Sequence, residues 1–375
     1  MKKILYLTMA PIDESSGVYK KIVSQASAFS EQGYECLILF VRDSSEAYVR
    51  NIDGKITKID ISDKFQLLKI KDYLKTCVFC YARFELLRHK YYREIILMCK
   101  KLSVKIISEI PTYPPYQESL ARVKAALSNR RYLSAIKTLL GTILVIMDIY
   151  IMTLYSKLVV IVADDKKFLF ADTVRIENGI DVESNPYQHK NPDEYINIIA
   201  VSNFSVWNGY DRAIVGLSNY VKETGKHDIK LIMVGDKSAG KSLIDQAERL
   251  DVLDDIEFTG SLSGKKLDEA YARADIALAA LGNHRRKVFA NSSLKVKEYA
   301  SRGMLMVLSD AEGIEYEIKE KSLIVKSDES PLDLVNIIKW FESIKDKKNT
   351  SLYIHEFAQD NYSWDAQIKK ILERL

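Results

Sequence analysis

The apolar positions of this chain alternate between short continuous runs and longer stretches with helical spacing. Residues 17–32 and 85–101 have apolar residues every three or four positions, which predicts two amphipathic helices. In the same half of the chain, apolar runs predict strands at 3–8, 35–41, 77–81, 104–108, 158–163 and 174–177. Strands that alternate with amphipathic helices are typical of parallel sheets covered on both faces.

The same alternation begins again near residue 196. It predicts strands at 196–202, 229–234, 256–258 and 276–279, with helices at 210–222, 241–250 and 265–273. The intervening residues 181–195 contain two Asn-Pro pairs and few apolar side chains, as expected of a linker. We therefore predict two doubly wound α/β domains, at 1–183 and 184–354. Ligands of such sheets bind outside the carboxyl ends of the strands, so a cleft between two domains is the expected site.

Composition and charge exclude several classes of protein. The 375 residues are 47% hydrophobic and 28% charged, which is typical of a globular protein and not of a disordered one. A net charge of +4 is too small for a protein that binds mainly nucleic acid. The N-terminus has no secretory leader pattern, so we expect a reduced, cytoplasmic protein. Cys77 and Cys80 form a C-x-x-C pair inside an apolar run without a second ligand pair, which favours buried thiols over a metal or redox site.

One apolar segment departs from the alternating pattern. Residues 139–154 contain a single acid, Asp148, and are fewer than the roughly 20 residues that span a bilayer. The flanking segment is basic, and 119–147 contains no acidic residue. Its cations are Arg122, Lys124, Arg130, Arg131 and Lys137. Two interpretations stay open: a buried helix of the first domain, or peripheral membrane contact through 122–154.

Candidate chemistry lies in the loops that follow strands. Gly17 opens the first helix, where backbone N–H groups can approach an anion, although an ordinary strand-to-helix turn has the same composition. Three equivalent corners of the second domain are marked by Asn203, Gly235 and the pair Thr259-Gly260. Each of these features is common in α/β proteins when taken singly.

The segment from 283 to 303 carries the most specific chemistry. A cationic loop leads into a helix that ends at Gly303, and the residues concerned include His284, Arg285, Arg286, Ser292, Ser293 and Leu294. Either serine is a good cap for this helix. The N–H groups at its start and the ammonium of Lys295 suit a diphosphate, and Glu298 suits a ribose diol. An exposed, charge-rich helix is the alternative.

Taken together, these segments resemble a nucleotide-sugar glycosyltransferase of the GT-B fold. The chain is most similar to the family-4-like enzymes of bacterial capsule, exopolysaccharide and glycan assembly. The resemblance covers nearly the whole chain, and its anchors are Gly17-Val18, Glu109-Ile110-Pro111, Glu177-Asn178-Gly179-Ile180-Asp181, Trp207-Asn208-Gly209-Tyr210-Asp211, His284-Arg285-Arg286 and Ser293-Leu294-Lys295 with Glu298-Tyr299. It implies two Rossmann-like domains facing across a cleft, with a helix in 355–375 packing back on the first domain.

The resemblance also implies roles for individual residues. Glu298 matches the second Glu of an E-x7-E motif, which holds the ribose, while the first falls on Ala290. The phosphate-clamping Arg and Lys of the family fall on Asn203 and Asn208. The expected catalytic residues are Lys295, Arg285 and Glu109, and the expected acceptor-binding residues are Arg83, Tyr113 and Tyr116. The expected donor-binding residues are Gly17, Asn203, Gly235, Thr259, Gly260, His284, Arg286, Ser292, Ser293, Leu294 and Glu298.

The implied reaction is retaining transfer of a hexose from a nucleoside-diphosphate sugar, UDP-linked in this branch, to a glycan acceptor. That acceptor is polyprenyl-linked or protein-linked, and no metal or cofactor is expected. A cytoplasmic enzyme is implied, with contact at the inner face of the plasma membrane under the membrane interpretation of 122–154. Two other functions stay open: a non-catalytic GT-B partner subunit, favoured by Asn203, Asn208 and Ala290, and a GT-B sugar-nucleotide epimerase. A homo-oligomer also stays open.

Overall fold

A computed structural model describes most of the chain. The described residues are 1–14, 16–42, 45–84, 87, 89–110, 123, 132–161, 167–182, 185–187, 195–286, 293–310 and 312–375. They form two compact units: unit 1 consists of Met1–Gly179 and Trp364–Leu375, and unit 2 consists of Ile180–Ser363. The sequence analysis placed this boundary at 183 and the return of the chain to the first domain at 355.

Unit 1 is built on a sheet whose described strands number nine. They are β1 Lys2–Thr8, β2 Tyr34–Val41, β3 Glu46–Arg50, β4 Ile56–Asp60, β5 Cys77–Arg83, β6 Lys105–Glu109, β7 Ser156–Ile161, β8 Lys167–Phe168 and β9 Ala171–Arg175. Their order is β4-β3-β2-β1-β5-β6-β7-β9-β8. The six strands from β2 to β9 in this order are parallel, whereas β3, β4 and β8 pair antiparallel at the two edges. The sequence analysis missed the β3–β4 pair because β4 is largely exposed and has no apolar run.

Helices cover both faces of this sheet. They are α1 Gly17–Glu31, α2 Lys64–Thr76, α3 Lys90–Lys101, α4 Tyr132–Tyr155 and α12 Trp364–Leu372. Alternate residues of a strand point to opposite faces, so Ile4 and Tyr6 of β1 pack with α1 and α12 while Leu5 and Leu7 pack with α2, α3 and the end of α4.

The final helix α12 completes the core of unit 1. Trp364, Ile368 and Ile371 are buried with the apolar face of α1. Trp364 packs directly on the backbone of Gly179: a Cβ at that glycine would lie 2.5 Å from the indole Cδ2 atom, so no other residue fits. Gln367 accepts a hydrogen bond of 2.9 Å from the backbone N–H of Glu177. The crossing of the last helix onto unit 1, which the resemblance implied, is therefore present.

Unit 2 contains a parallel sheet with six described strands. They are β10 Ile196–Val201, β11 Ile229–Val234, β12 Ile256–Gly260, β13 Ile276–Leu278, β14 Leu305–Ser309 and β15 Leu323–Val325, in the order β12-β11-β10-β13-β14-β15. The helices are α5 Tyr210–Thr224, α6 Lys241–Arg249, α7 Lys265–Ala272, α8 Leu294–Ser301, α9 Tyr316–Glu320, α10 Leu334–Ser343 and α11 Lys347–Tyr362. Apolar clusters fill both faces of the sheet. Because the strands are parallel, all of their carboxyl ends meet at one edge.

The four cysteines are free thiols of unit 1. Of the C-x-x-C pair, Cys80 is buried, as predicted, whereas Cys77 is partly exposed; Cys36 and Cys99 are buried as well. Cys77 and Cys80 lie on β5, and both pack in the apolar cluster that contains Cys99 because a register irregularity near Cys77 interrupts the alternation of β5. Burial raises the pKa of Cys77 to about 12, which makes its thiolate scarce at neutral pH.

Candidate functional site

The loop that follows β10 lies at the carboxyl edge of the sheet in unit 2 and is held by asparagine side chains. Asn203 Oδ1 accepts hydrogen bonds from the backbone N–H and the hydroxyl of Ser205, at 3.2 and 2.8 Å. Asn208 Nδ2 donates to the same Asn203 oxygen at 3.4 Å and to the Ser205 carbonyl at 3.1 Å. The two asparagines at which the resemblance placed the phosphate-clamping residues therefore shape this loop.

Two glycines join this loop to the one that follows β13. Gly209 adopts a positive φ of 67°, and a Cβ there would lie 2.7 Å from the backbone nitrogen of Gly282. Gly282 donates its N–H to the Trp207 carbonyl at 3.1 Å, and Leu281 donates to the Asn208 carbonyl at 2.8 Å. This close approach of backbones makes the two loops one hydrogen-bonded layer.

Lys295 reaches this layer from the first turn of α8. Its ammonium donates to Asn208 Oδ1 at 2.8 Å and to the Tyr210 hydroxyl at 2.7 Å. Burial raises the pKa of Tyr210, so its hydroxyl stays neutral and accepts this bond. The structure thus places the ammonium of Lys295 against Asn208, the position at which the resemblance expected a clamping lysine. Tyr210 was missed as a site residue, although it belongs to the Trp207–Asp211 anchor.

Side chains already accept hydrogen bonds from some of the backbone N–H groups at the N-terminus of α8. Ser293 is the N-cap residue, as predicted, and its hydroxyl accepts from the Val296 N–H at 3.3 Å. Glu312, buried after β14, accepts the Ser293 N–H at 3.0 Å. A carboxylate at this position interacts favourably with the helix dipole. The sequence analysis expected free N–H groups here and overlooked Glu312, an acid directly after an apolar strand. Ser292 and Ala290 lie outside the described residues.

Glu298 lies one turn further along α8 and is about a third exposed. Its Oε1 atom accepts from the Tyr271 hydroxyl at 3.2 Å and lies 3.6 Å from Arg302 Nε. Arg302 is buried and also pairs with Asp268 at 2.8 Å. The carboxylate is therefore oriented by two neighbours while part of it faces solvent, as a ribose-binding group requires.

Arg285 is engaged by carboxylates. Its guanidinium donates two hydrogen bonds to Asp211, at 2.8 and 2.7 Å, and two to Glu329, at 2.9 and 2.5 Å. His284 Nε2 lies 2.6 Å from the same Glu329 oxygen atom that bonds Arg285 Nε. Hydrogen bonds from Arg285 and then His284 lower the pKa of Glu329 to about 2. This network links the loops that follow β10, β13 and β15.

The remaining donor residues of the sequence analysis fall in four places. Gly235, Thr259 and Gly260 end β11 and β12 at the same edge of unit 2; a Cβ at Gly235 would lie 2.0 Å from the Ser202 carbonyl oxygen. Leu294 is exposed at the start of α8. Gly17 lies in unit 1, where it begins α1. Arg286 has its backbone in a short 3-10 helix, Asn283–Arg286, and its side chain lies outside the described part.

A buried charged cluster lies at the carboxyl ends of β5 and β6 in unit 1. Glu109 Oε1 lies 2.8 Å from Lys21 Nζ and 3.6 Å from Arg83 Nη1. Its Oε2 atom accepts from the Tyr81 hydroxyl at 2.9 Å and from Gln25 Nε2 at 3.2 Å. The structure therefore brings Glu109 and Arg83 together. Two cations face one carboxylate, so the cluster carries net positive charge. Tyr113 and Tyr116 lie outside the described residues.

We expect Glu109→Gln to reduce the stability of unit 1 by about 3–5 kcal/mol at pH 7, because it leaves two largely buried cations without a carboxylate. Burial alone would raise the pKa of Glu109, but the charges of Lys21 and Arg83 and the hydrogen bonds lower it overall. Because the pKa of Glu109 is lower in the folded protein than in the unfolded chain, where it is about 4.3, its ionised carboxylate stabilises the fold at pH values above about 4.3. This stabilisation is lost as the pH falls from there through the folded-state pKa. In the Glu109→Gln variant, the free energy of unfolding should lack this decrease at acidic pH. Hydrogen exchange of β1 amides across pH measures both effects.

The matched control for this substitution is Glu35→Gln. Glu35 pairs with Lys3 at 3.3 Å, but both side chains are more than a third exposed. Its replacement should change stability by less than about 1 kcal/mol. Equal effects of the two substitutions would show that the cluster is not electrostatically important.

No group of three or more His, Cys, Asp or Glu side chains with metal-binding geometry occurs in the described ranges. The expectation of a metal-independent reaction stays a prediction.

Several solved structures resemble the chain over its whole length at low sequence identity. HepE of Anabaena in complex with UDP-glucose has a TM-score of 0.53 at 12% identity and covers 100% of both chains. A glycosyltransferase from Rickettsia africae has a TM-score of 0.58 at 15% identity and covers 99% of this chain and 97% of its own. Sucrose-phosphate synthase from Thermosynechococcus elongatus has a TM-score of 0.55 at 13% identity, covering 100% and 98%. These likenesses show the fold.

The sequence of unit 2 carries a family match. No curated protein matches the chain significantly. Residues 181–358 match the family model described as glycosyl transferases group 1. The matched segment falls within unit 2 and contains Asn208, Arg285, Lys295 and Glu298. The chain is therefore an α/β protein of two units that resembles GT-B glycosyltransferase structures, and its residues 181–358 match glycosyl transferases group 1.

Proposed function

We propose that this chain is a glycosyltransferase that moves a hexose from a UDP-sugar to a glycan acceptor with retention of configuration. The observation that carries the proposal is the group 1 match over 181–358, the part of the chain that brings Lys295, Asn208 and Glu298 to one edge of a parallel sheet. UDP as the nucleotide is supported by the fold likeness to HepE, whose structure contains UDP-glucose.

The residues of unit 2 would act mainly on the leaving group. The ammonium of Lys295 supplies positive charge next to a layer of two linked loops, so it can stabilise the diphosphate that departs. Asn208 and Tyr210 hold this ammonium in place before any donor binds. Glu298 would accept hydrogen bonds from the ribose diol. Arg285 would position the loops rather than neutralise phosphate, since its donors are bonded to Asp211 and Glu329.

The acceptor side is assigned to unit 1. The net positive cluster of Lys21, Arg83 and Glu109 suits an acceptor that carries phosphate, such as a glycan on a polyprenyl diphosphate. Assembly of a capsule or another surface polysaccharide would supply such an acceptor. We place the reaction in the cytoplasm, and it needs no metal or cofactor under this proposal.

A second candidate is a non-catalytic partner that keeps the fold. It is favoured by one observation: Asn203 and Asn208 replace two cations, and the cation nearby at Arg285 is paired with two carboxylates. Such a protein would bind nucleotide weakly and would not cleave a UDP-sugar.

Nucleotide binding separates the two candidates. The full chain is tested in thermal shift with UDP, GDP, ADP and CMP without added metal, followed by hydrolysis assays with UDP-sugars. A nucleotide present at about 100 times its dissociation constant stabilises the protein by roughly 2.7 kcal/mol. A shift with UDP together with slow UDP-sugar hydrolysis is the expected result. No shift with any nucleotide would contradict the proposal and favour the partner protein.

A further inference from the structure

Helix α4 connects β6 to β7, two neighbouring parallel strands of unit 1. It has 24 residues, which corresponds to a length of about 36 Å. By length and composition this helix is long and apolar enough to cross a membrane. Its inner side lies on the sheet, where Thr142, Ile149, Met152 and Thr153 are buried.

The outer side of α4 carries a continuous band of exposed apolar side chains. Six side chains recur every three or four residues along it: Ile136, Leu140, Ile143, Met147, Tyr150 and Leu154, each 46–58% exposed. Leu139, Leu144 and Ile146 flank this row and are also exposed. At 3.6 residues per turn these positions cover an arc of roughly 160° that contains no polar side chain. We call this arc the apolar face.

The polarity of α4 is the reverse of that expected for a surface helix in water. All of its polar side chains lie outside the apolar face: Ser134, Lys137, Thr138, Thr142, Asp148 and Thr153. Thr138, Thr142 and Thr153 donate their hydroxyls to backbone carbonyls three or four residues earlier, which satisfies them within the helix. An ordinary surface helix buries its apolar stripe and exposes its polar one. A contiguous exposed apolar surface of this kind marks an interaction site.

The helices beside α4 are basic. Helices α2 and α3 cover the same side of the sheet as α4, and Lys100 of α3 lies 4.0 Å from the centre of the Tyr155 ring. Their acids are Asp72 and Glu94. Their exposed cations are Lys64, Lys69, Lys75, Lys90, Arg93, Lys100 and Lys101. Between α2 and α3 runs an apolar groove of about 660 Å³, lined in part by Leu67, Leu68, Leu97 and Met98 and edged by lysines.

We propose that the side of unit 1 formed by α2, α3 and α4 docks on the surface of an anionic lipid bilayer. The apolar face of α4 lies among the acyl chains near the headgroups, and the lysines of α2 and α3 contact anionic headgroups. In this arrangement α4 lies parallel to the membrane surface, because it runs directly into β7 at Ser156 and its inner side is packed on the sheet. A spanning helix would have to leave that sheet.

A second copy of the chain fits this surface less well. A helix pair in water buries a narrow seam, and charged side chains flank it. Here the flanking positions Leu139, Leu144 and Ile146 are apolar too, so a single partner helix would leave much of the apolar face exposed. The surrounding cations would also repel those of an identical surface, whereas they complement anionic lipid.

The test is co-sedimentation of the full chain with vesicles. Vesicles of phosphatidylglycerol and phosphatidylcholine are compared with vesicles of phosphatidylcholine alone, at low and high salt. The proposal expects binding to the anionic vesicles that weakens with salt. The variant Ile143→Ser/Met147→Ser/Tyr150→Ser should lower the partition coefficient by at least about 100-fold, since each side chain contributes apolar burial. Hydrogen exchange of α4 should slow when anionic vesicles are added.

The control variant replaces three exposed apolar side chains elsewhere, Ile52→Ser/Tyr316→Ser/Leu352→Ser, and should bind vesicles like the wild type. Absence of binding to anionic vesicles, or equal binding by both triple variants, would overturn the proposal. A dimer in solution that the α4 variant dissociates, without vesicle binding, would also overturn it and assign the face to a second copy. None of these readouts depends on nucleotide binding, so this proposal and the proposed glycosyl transfer can fail separately.

Discussion

Lys295→Ala is expected to lower the rate of sugar transfer by about 10²-fold or more. The substitution removes the ammonium that Asn208 and Tyr210 hold at the edge of the sheet, and with it the charge that would stabilise the departing diphosphate. The affinity for UDP should fall as well, whereas the affinity for uridine, which lacks the diphosphate, should stay unchanged. Initial rates with a UDP-sugar and titrations with UDP and uridine measure the three quantities.

The matched control for Lys295 is Lys222→Ala, an exposed lysine in the last turn of α5 at the opposite end of that helix from Tyr210. It should leave transfer and binding unchanged. A Lys295 variant that transfers sugar at the wild-type rate would show that the leaving group is stabilised elsewhere. A parallel loss of uridine binding would indicate a distorted loop rather than a lost charge.

Glu298→Ala is expected to raise the dissociation constant of UDP by roughly 10- to 100-fold, the effect of losing a hydrogen bond to a charged group. Uridine should lose affinity by the same factor, because the proposed contact is to the ribose and not to the phosphates. The two substitutions can therefore be told apart. Lys295→Ala should lower the affinity for UDP but not for uridine, whereas Glu298→Ala should lower both affinities by the same factor. Calorimetric titration of UDP and of uridine against each variant measures the difference.

Folding of the Glu298 variant can be checked independently. Arg302 keeps its pair with Asp268, so the buried guanidinium is not left without a carboxylate. Glu269→Ala on α7 serves as the control, because Glu269 is exposed and its partner Lys265 lies 3.9 Å away. Unchanged uridine affinity in Glu298→Ala would move the ribose site away from α8.

Most strands of the parallel core could be predicted, because burial on both faces requires apolar runs, although the equally buried β14 and the helix α2 were missed. Strand β11 lies at 229–234 in both the prediction and the structure. The antiparallel edge could not be predicted in this way. Nearly all side chains of β4 are exposed, so the strand has no apolar run, and it is held in the sheet by its backbone pairing with β3.

The candidate site could be predicted only at the level of residue type. The sequence indicated Lys295 and Arg285 as two equivalent cations. The structure separates them, because Asp211 and Glu329 lie far from Arg285 in sequence but surround it in space. Local spacing likewise could not reveal Glu312, which approaches the start of α8 from the loop after another strand. Ion pairs of this kind depend on strand order, which no pattern along the chain encodes.

The position of Trp364 has a consequence for how the protein is made. The side chain that fills the space above Gly179 is synthesised only after the whole of unit 2, which is 184 residues long. Unit 2 is continuous in the chain and can fold as it leaves the ribosome, while unit 1 must wait with part of its apolar core uncovered. The first unit to be translated is therefore the last to be completed, and during that interval it is the part of the nascent chain most exposed to aggregation and most dependent on chaperones.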